Sequence, residues 1–153
     1  MLRGSCLCGG VRFEVHGAVR EIGNCHCSQC RKAYGSAFGT VAVVSKVDFS
    51  YTLGQELIAA FEATARVTRY HCRKCGSPLP ICEEWDSLVG IPAGLLDDDP
   101  KCKPSSHIFT ASKAVWWDIT DEQPQFEAWP PDQDMNERAR HLKGSTSSDQ
   151  GAA

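Results

Sequence analysis

The sequence predicts a single, mainly β domain built from short strands. Segments in which apolar and polar residues alternate are separated by glycine and proline, and nine cysteines lie largely in tight clusters. The 153 residues are the size of one compact domain. A composition of 42% hydrophobic and 23% charged residues is typical of a globular protein with one buried core.

Alternation with a period of two marks the predicted strands. Val11, Phe13 and Val15 are separated by Arg12 and Glu14, as expected for a strand with one buried face. Similar short segments follow along the chain and favour a strand-rich fold. These further strands are predicted at residues 40–44, 47–52, 66–71, 88–91, 107–111, 115–119 and 125–129.

Two segments depart from this simple pattern. Residues 55–65 fit a helical stripe through Leu57 and Phe61, but their short length and the surrounding strands favour an extended conformation. Beyond Pro131, Asp132 is placed to cap a short helix that runs to residue 142. The remaining residues are rich in glycine and serine and have little to bury, so a flexible tail is expected.

Charge and hydropathy exclude two classes of partner. The 16 Lys and Arg against 19 Asp and Glu give a net charge of -3, so no broad cationic surface is available for nucleic acid. No apolar run approaches the roughly 20 residues of a membrane-spanning helix. The first residues, MLRGSCLCGG, lack the apolar stretch of a secretory signal, and a cytoplasmic location is therefore expected.

The cysteines are the strongest functional signal. Seven of the nine form three short clusters, and clustered thiols in a reducing cytosol indicate zinc ligands rather than disulfides. The i and i+2 spacing of the first cluster puts both side chains on one face of an extended chain. Gly76, directly after the third cluster, suits the turn that a Cys-x-x-Cys element needs. The clusters are the first (Cys6 and Cys8), the middle (Cys25, Cys27 and Cys30) and the third (Cys72 and Cys75).

Spacing allows two divisions of these ligands into a set of four and a set of three. In one, the first and third clusters form a closed structural zinc site, and the middle cluster leaves the fourth zinc position open for water or substrate. In the other, Cys27 and Cys30 join the third cluster, and Cys25 completes an open set with the first cluster. Either division predicts two zinc ions per chain.

The three clusters and their neighbours resemble one known family. The segments GSCLCGGVRFEV, NCHCSQCRKAYGSAFGT and TRYHCRKCGSPL, in this order, are similar to the glutathione-dependent formaldehyde-activating (GFA) enzymes, which include the centromere-protein-V-like proteins. The stretch from His107 to Phe126 is similar to the family's C-terminal segment. The likeness places a GFA-type zinc-binding domain at residues 2–130, followed by the short helix and flexible tail at 131–153.

This resemblance implies a β-tent-like fold of short antiparallel strands with one structural and one catalytic zinc. It also implies a carbon–sulfur lyase that joins glutathione to formaldehyde as S-hydroxymethylglutathione. At an open zinc position a thiol loses its proton more easily and can attack an aldehyde carbonyl. Expected partners are thus a small-molecule thiol and an aldehyde, without nucleic acid or membrane. The implied ligands are Cys6, Cys8, Cys72 and Cys75 for the structural zinc and Cys25, Cys27 and Cys30 for the catalytic zinc.

Two other functions are compatible with the same residues. The chain could be a non-catalytic zinc-binding module for protein interaction, with both ions structural. A fourth protein ligand at the middle cluster, such as His107 or Cys102, would favour that hypothesis. A third hypothesis is an enzyme that acts on a different thiol or electrophile.

Four residues near the middle cluster have alternative interpretations. The ring of His26, between two expected ligands, should point away from the ion and serve either hydrogen bonding or packing. Arg31 and Lys32 either attract substrate carboxylates or, as we favour, balance the thiolate charge. His107 is either a site residue or a structural histidine whose hydrogen bonds are satisfied.

Overall fold

The computed structural model describes residues 1–65, 67–82 and 87–131. Short strands dominate this part of the chain, so the predicted mainly β class is confirmed. It contains one α-helix, α1 (Ser28–Tyr34), and short 3-10 turns at Lys46–Asp48, Gln55–Leu57, Ala93–Leu95 and Thr110–Ser112. The strands are β1 (Leu2–Ser5), β2 (Arg12–Val15), β3 (Glu21–Cys25), β4 (Gly39–Ser45), β5 (Phe49–Leu53), β6 (Ile58–Thr64), β7 (Val67–Cys72), β8 (Pro78–Leu79), β9 (Leu88–Pro92) and β10 (Pro104–Ile108).

The described strands form three small sheets. Their orders are β1-β2-β5, β10-β3-β4-β9 and β6-β7-β8. All the paired strands run antiparallel except β10, which is parallel to β3. That parallel pair sets His107 beside Asn24 and Ile108 beside Cys25, so β10 lies next to the start of the middle cluster.

The main core lies between the first two sheets. Phe13 and Val15 of β2 pack with Val44 of β4 and with Val89 and Ile91 of β9, and all five are essentially inaccessible to water. The alternation predicted for β2 is therefore confirmed. A second buried cluster contains Cys6, Val11, Cys72 and Leu79. Cys6 belongs to the first cysteine cluster and Cys72 to the third, so hydrophobic burial already brings these distant segments together.

Three predicted strands near the C-terminal end of the described chain are wrong in whole or part. The strand predicted at 107–111 ends at Ile108, because Phe109 has a φ of 58° and a 3-10 turn follows. Residues 115–119 include a turn closed by a hydrogen bond from the Trp117 nitrogen to the Ala114 oxygen. At 125–129 only Gln125 forms a bridge, to His107. Apolar residues there lack a sheet to pack against, and Val115 is 95% exposed.

Other segments follow the predictions or lie outside the described residues. The extended conformation favoured for 55–65 is confirmed, since β6 follows a single 3-10 turn there. The strand predicted at 47–52 begins two residues late, at Phe49. The helix and tail predicted after residue 131 lie outside the described part of the chain. In the described residues there is no helix both long enough and apolar enough to cross a membrane.

Candidate metal centre

Two tight turns carry the first and third cysteine clusters. After β1, the Gly9 nitrogen donates to the Cys6 oxygen at 2.8 Å and folds the chain around Cys8. At the end of β7, the Gly76 nitrogen donates to the Cys72 oxygen, also at 2.8 Å. Gly76 has a φ of +75°, in the left-handed region that favours glycine, as the sequence predicts.

The four sulfurs of these two clusters fit a tetrahedral metal site. They all lie within 4.8 Å of one another. Cys6 Sγ is 3.5 Å from Cys8 Sγ, and Cys8 Sγ is 3.9 Å from Cys72 Sγ. Zinc–sulfur bonds of about 2.3 Å in a tetrahedron require sulfurs about 3.8 Å apart. The four-thiol set can therefore hold one ion without a large rearrangement.

Hydrogen bonds prepare this group for the thiolate form. The Val11 nitrogen donates to Cys6 Sγ at 3.3 Å. Ser77 Oγ lies 3.3 Å from Cys75 Sγ, and the side-chain hydrogen bond between them lowers the pKa of Cys75 to about 5. Ser77 Oγ also accepts a hydrogen bond from the Leu7 nitrogen at 3.0 Å, which connects the two turns. Ser77 was not singled out from the sequence, because its link to Leu7 is made only in the fold.

The middle cluster lies where β3 passes into α1. Cys25 ends β3, Cys27 caps the helix, and Cys30 lies in its first turn. Their sulfurs lie within 4.8 Å of one another, and the described residues add no fourth His, Cys, Asp or Glu donor to the group. The Cys30 nitrogen donates to Cys27 Sγ at 3.3 Å. The middle cluster is therefore a set of three donors, as in the first of the two divisions that the sequence allows.

The structure thus decides how the sulfurs are grouped. The first and third clusters share one group, and the middle cluster forms another. Within the described chain, Cys27 and Cys30 do not join the third cluster, so the alternative division is not the one found. All nine cysteines are free thiols, and Cys82 and Cys102 lie outside both groups.

Charge is distributed unevenly within the middle cluster. Hydrogen bonds from the thiols of Cys25 and Cys30 lower the pKa of Cys27 to about 2, and the shared proton correspondingly raises the pKa of Cys25. Arg69 Nη2, from β7, donates to Cys30 Sγ at 3.5 Å. The cluster therefore favours the thiolate form of Cys27 and has a guanidinium against Cys30. Arg69 gave no signal in the sequence, because it lies 39 residues from Cys30.

A buried pair of histidines lies beside this cluster. His26 Nε2 is 2.7 Å from His107 Nδ1, and His107 Nε2 is 3.1 Å from Asp121 Oδ2. The side chains of His26 and His107 are 0% and 2% exposed. Burial lowers the pKa of His26 to about 4, so its ring is neutral at pH 7. The two nitrogens of His107 are engaged by His26 and Asp121, so His107 is not placed as a fourth ligand.

Aromatic rings cover the histidine pair on one side. The Phe38 ring is 5.0 Å from the His26 ring and 5.9 Å from the Trp117 ring. Burial also raises the pKa of Tyr34, on the last turn of α1, so its hydroxyl stays neutral. Tyr34 and Phe38 therefore place aromatic rings beside Cys30 and His26. Such surroundings strengthen electrostatic interactions between a bound anion and the site.

Comparisons with known proteins agree with the cysteine pattern. The family model described as glutathione-dependent formaldehyde-activating enzyme matches residues 1–112. A Halomonas elongata protein provisionally named as such an enzyme is 30% identical over 146 residues, which cover 90% of this chain and 93% of that protein. An Aspergillus flavus protein with the same provisional name is 33% identical over 76 residues. That match covers 48% of this chain and 40% of the fungal protein.

A solved structure shares the fold. A Rhodobacter sphaeroides protein superposes with a TM-score of 0.54 at 23% identity, over 63% of this chain and 89% of that one. The family match includes all seven clustered cysteines and all ten described strands. The chain therefore belongs to the glutathione-dependent formaldehyde-activating enzyme family.

Proposed function

We propose that this protein is a zinc-dependent carbon–sulfur lyase that joins a thiol to a small aldehyde as an S-hydroxymethyl adduct. Glutathione is the proposed thiol and formaldehyde the proposed aldehyde, in line with the names of the relatives. The observation that carries the proposal is the difference between a group of four sulfur donors and a group of three. We place this activity in the GFA-type domain at residues 2–130 and expect the protein in the cytoplasm.

The group of four suits a structural ion. Its donors would complete a tetrahedron and leave no position for a substrate. Their sequence separation supports this role, because an ion there would tie the turn after β1 to the end of β7. Structural zinc contributes on the order of 10 kcal/mol of apparent free energy at neutral pH. The proposed ligands are Cys6, Cys8, Cys72 and Cys75.

The group of three suits the catalytic ion. Zinc held by Cys25, Cys27 and Cys30 would supply a fourth, exchangeable position that favours the thiolate form of a substrate thiol. The chain's own contribution is to lower the pKa of Cys27, which favours its anionic form, and to place the Arg69 guanidinium against Cys30. The positive charge of Arg69 offsets part of the negative charge that three thiolates and a substrate thiolate would accumulate.

The proposed reaction is a simple addition. The substrate sulfur forms a bond to the carbonyl carbon, the carbonyl π bond breaks, and the thiol proton ends on the former carbonyl oxygen. The product carries a hydroxymethyl group on sulfur. No oxidant or reductant is needed, since the elements of the thiol and the aldehyde are all present in the adduct.

The middle cluster lacks the feature that would favour a non-catalytic module. That hypothesis calls for a fourth protein ligand at the middle cluster. In the described residues His107 is bonded to His26 and Asp121, and Cys102 packs against the main core. The open position therefore supports an enzyme over a module with two structural ions.

The test combines metal analysis with adduct kinetics. Protein purified anaerobically should contain two zinc ions per chain by elemental analysis. Exchange NMR with glutathione and formaldehyde should then show adduct formation faster than the spontaneous reaction. Cys102→Ser, which alters a cysteine outside both groups, should keep both zinc ions and the full rate. Two retained zinc ions without any acceleration would contradict the lyase proposal.

A further inference from the structure

The Arg69 guanidinium is in direct contact with the three-cysteine group. Its Nη2 atom donates to Cys30 Sγ at 3.5 Å. Among the described lysines and arginines, no other side chain donates to a sulfur of this group. Arg69 lies on β7, the middle strand of its sheet, where it pairs with Phe61 of β6. A central strand therefore sets its position, which makes it a rigid part of the site.

Most of the hydrogen-bonding capacity of this guanidinium is unused. A guanidinium has five N–H donors and no acceptor. In the described chain the Arg69 side chain makes one hydrogen bond, to Cys30, and forms no ion pair with a described carboxylate. Its buried Nε has no partner there. Arg3 shows the contrast, because its Nε and Nη2 donate to the Asp98 carboxylate at 2.9 and 2.8 Å. Arg69 is therefore a cation without a counter-carboxylate in the described residues.

The charge of the group determines which substrates can approach it. Three thiolates around a divalent zinc ion carry a net charge of about -1, and a substrate thiolate makes the sum about -2. A further negative group on the substrate would be repelled by this charge. The guanidinium of Arg69, which contacts Cys30, opposes that repulsion. A negative group on the substrate is thus favoured next to Arg69.

A thiol held at the open zinc position would come within reach of this guanidinium. A fourth sulfur that shares a tetrahedral zinc ion with Cys30 lies about 3.8 Å from Cys30 Sγ. Arg69 Nη2 is 3.5 Å from the same Sγ, so the substrate sulfur and Nη2 are at most about 7 Å apart. A thiol with its carboxylate two methylene groups away spans about 5 Å. One hydrogen bond of about 2.9 Å covers the remaining distance.

We propose that Arg69 is a specificity-determining residue that binds a carboxylate of the substrate thiol. The substrate class is then a thiol that also carries a carboxylate, recognised at two points by the open zinc position and by Arg69. This assignment rests on the proposed lyase function. Arg31 and Lys32, which the sequence offers for this role, make no side-chain hydrogen bond to the three sulfurs in the described chain.

The test compares two thiols of equal size that differ in charge, 3-mercaptopropionate and 3-mercaptopropionamide. Isothermal titration calorimetry on protein that holds two zinc ions by elemental analysis gives a Kd for each thiol. The readout is the Kd of the amide divided by the Kd of the carboxylate. Arg69→Gln should lower this ratio about 10-fold to 100-fold, the range for a hydrogen bond to a charged group. Comparing the ratio between proteins cancels the different acidities of the two thiols.

Further variants separate carboxylate binding from a purely structural role. A residue that only supports zinc would affect both thiols equally and leave the ratio unchanged. Arg69→Lys keeps the positive charge next to Cys30 but loses the planar donors, so its ratio should fall by about 3-fold to 10-fold. Arg20→Gln, at an exposed position, should keep the wild-type ratio. An unchanged ratio in both Arg69 variants, or an equal fall in Arg31→Gln, would overturn the proposal.

The outcomes also separate this inference from the lyase proposal. Adduct formation from formaldehyde can be compared for glutathione and its diethyl ester, in which both carboxylates are masked. Accelerated adduct formation with an Arg69-independent preference would overturn this inference while the lyase function stands. An Arg69-dependent Kd ratio without accelerated adduct formation would overturn the lyase function and support carboxylate binding at Arg69. The binding measurement does not depend on turnover, so either proposal can fail alone.

Discussion

Cys8 Sγ lies 3.9 Å from Cys72 Sγ, although 64 residues separate the two cysteines. Cys6 and Cys72 are both buried in the same apolar cluster as Val11 and Leu79. The metal site and this part of the core are therefore one structural unit. An ion here would close a long loop of chain, and losing the ion would expose apolar surface as well as thiols.

Removing one ligand of the four-sulfur group should destabilise the whole domain. We expect Cys72→Ser to lose one zinc ion and to lower the free energy of unfolding by more than about 3 kcal/mol, because zinc binding and burial are lost together. Thermal unfolding followed by circular dichroism and elemental analysis would measure both effects. Cys102→Ser is the control. Retention of two zinc ions by Cys72→Ser would show that this group is not a zinc site.

Removing a ligand of the three-sulfur group should have a different effect. Cys27 caps the seven-residue helix α1 and lies outside both buried apolar clusters. Cys27→Ser should remain folded, because serine is also a good helix cap, and should contain about one zinc ion per chain. Adduct formation should fall to the spontaneous rate. Full turnover by this variant in the exchange NMR assay would refute the assigned catalytic set.

The Arg69 guanidinium should strengthen metal binding at the middle cluster. It donates to Cys30 Sγ at 3.5 Å and favours the thiolate that a metal requires. Arg69→Gln should weaken zinc binding at this group by about 5-fold to 30-fold, equivalent to about 1–2 kcal/mol for a hydrogen bond to a charged group. Competition with a chromophoric chelator would measure the change. Arg20→Gln, at an exposed position, should leave both affinities unaltered.

Gly54 should tolerate no side chain. Its φ is +76°, and a Cβ atom would lie 1.9 Å from the backbone oxygen of Gly10, in the turn next to Cys8. Gly54→Ala should lower the free energy of unfolding by more than about 2 kcal/mol, since backbone strain and a clash with backbone act together. Gly94→Ala has free space around the new methyl group and should cost less than about 1 kcal/mol. Equal stabilities in urea denaturation would contradict this.

Zinc retention in acid should depend on Ser77. The pKa of Cys75 is lowered from 9.0 to about 5, and hydrogen bonding to Ser77 is the largest cause. A lowered pKa stabilises the folded thiolate above pH 9, and this contribution is lost as the pH falls through about 5. Ser77→Ala should raise this pKa, so protons should displace zinc at a higher pH. A colorimetric zinc indicator would record the release, with exposed Ser50→Ala as the control. Identical release curves would contradict the prediction.

The fold class and the ligand candidates could be read from the sequence because they depend on local patterns. The alternation of Val11, Phe13 and Val15 reflects which face of one strand is buried, and the structure confirms it. The strand predicted at 115–119 is wrong because alternation alone does not supply a neighbouring strand. Helix α1 was missed for a related reason. Seven residues are too few for a periodic signal, and a cysteine that caps a helix resembles one in a simple turn.

The sequence by itself determined that the chain is a mainly β domain with seven clustered thiols, and it pointed to the right family. Only the tertiary structure decided which sulfurs share a site, because that choice depends on a core that brings β1 and β7 together. The same holds for Arg69 at Cys30 and for Asp121 behind His107 and His26. The short spacing within each cysteine cluster constrains the positions of its sulfurs. The charges and hydrogen bonds around those sulfurs come from residues that are distant in sequence and become neighbours only in the folded chain.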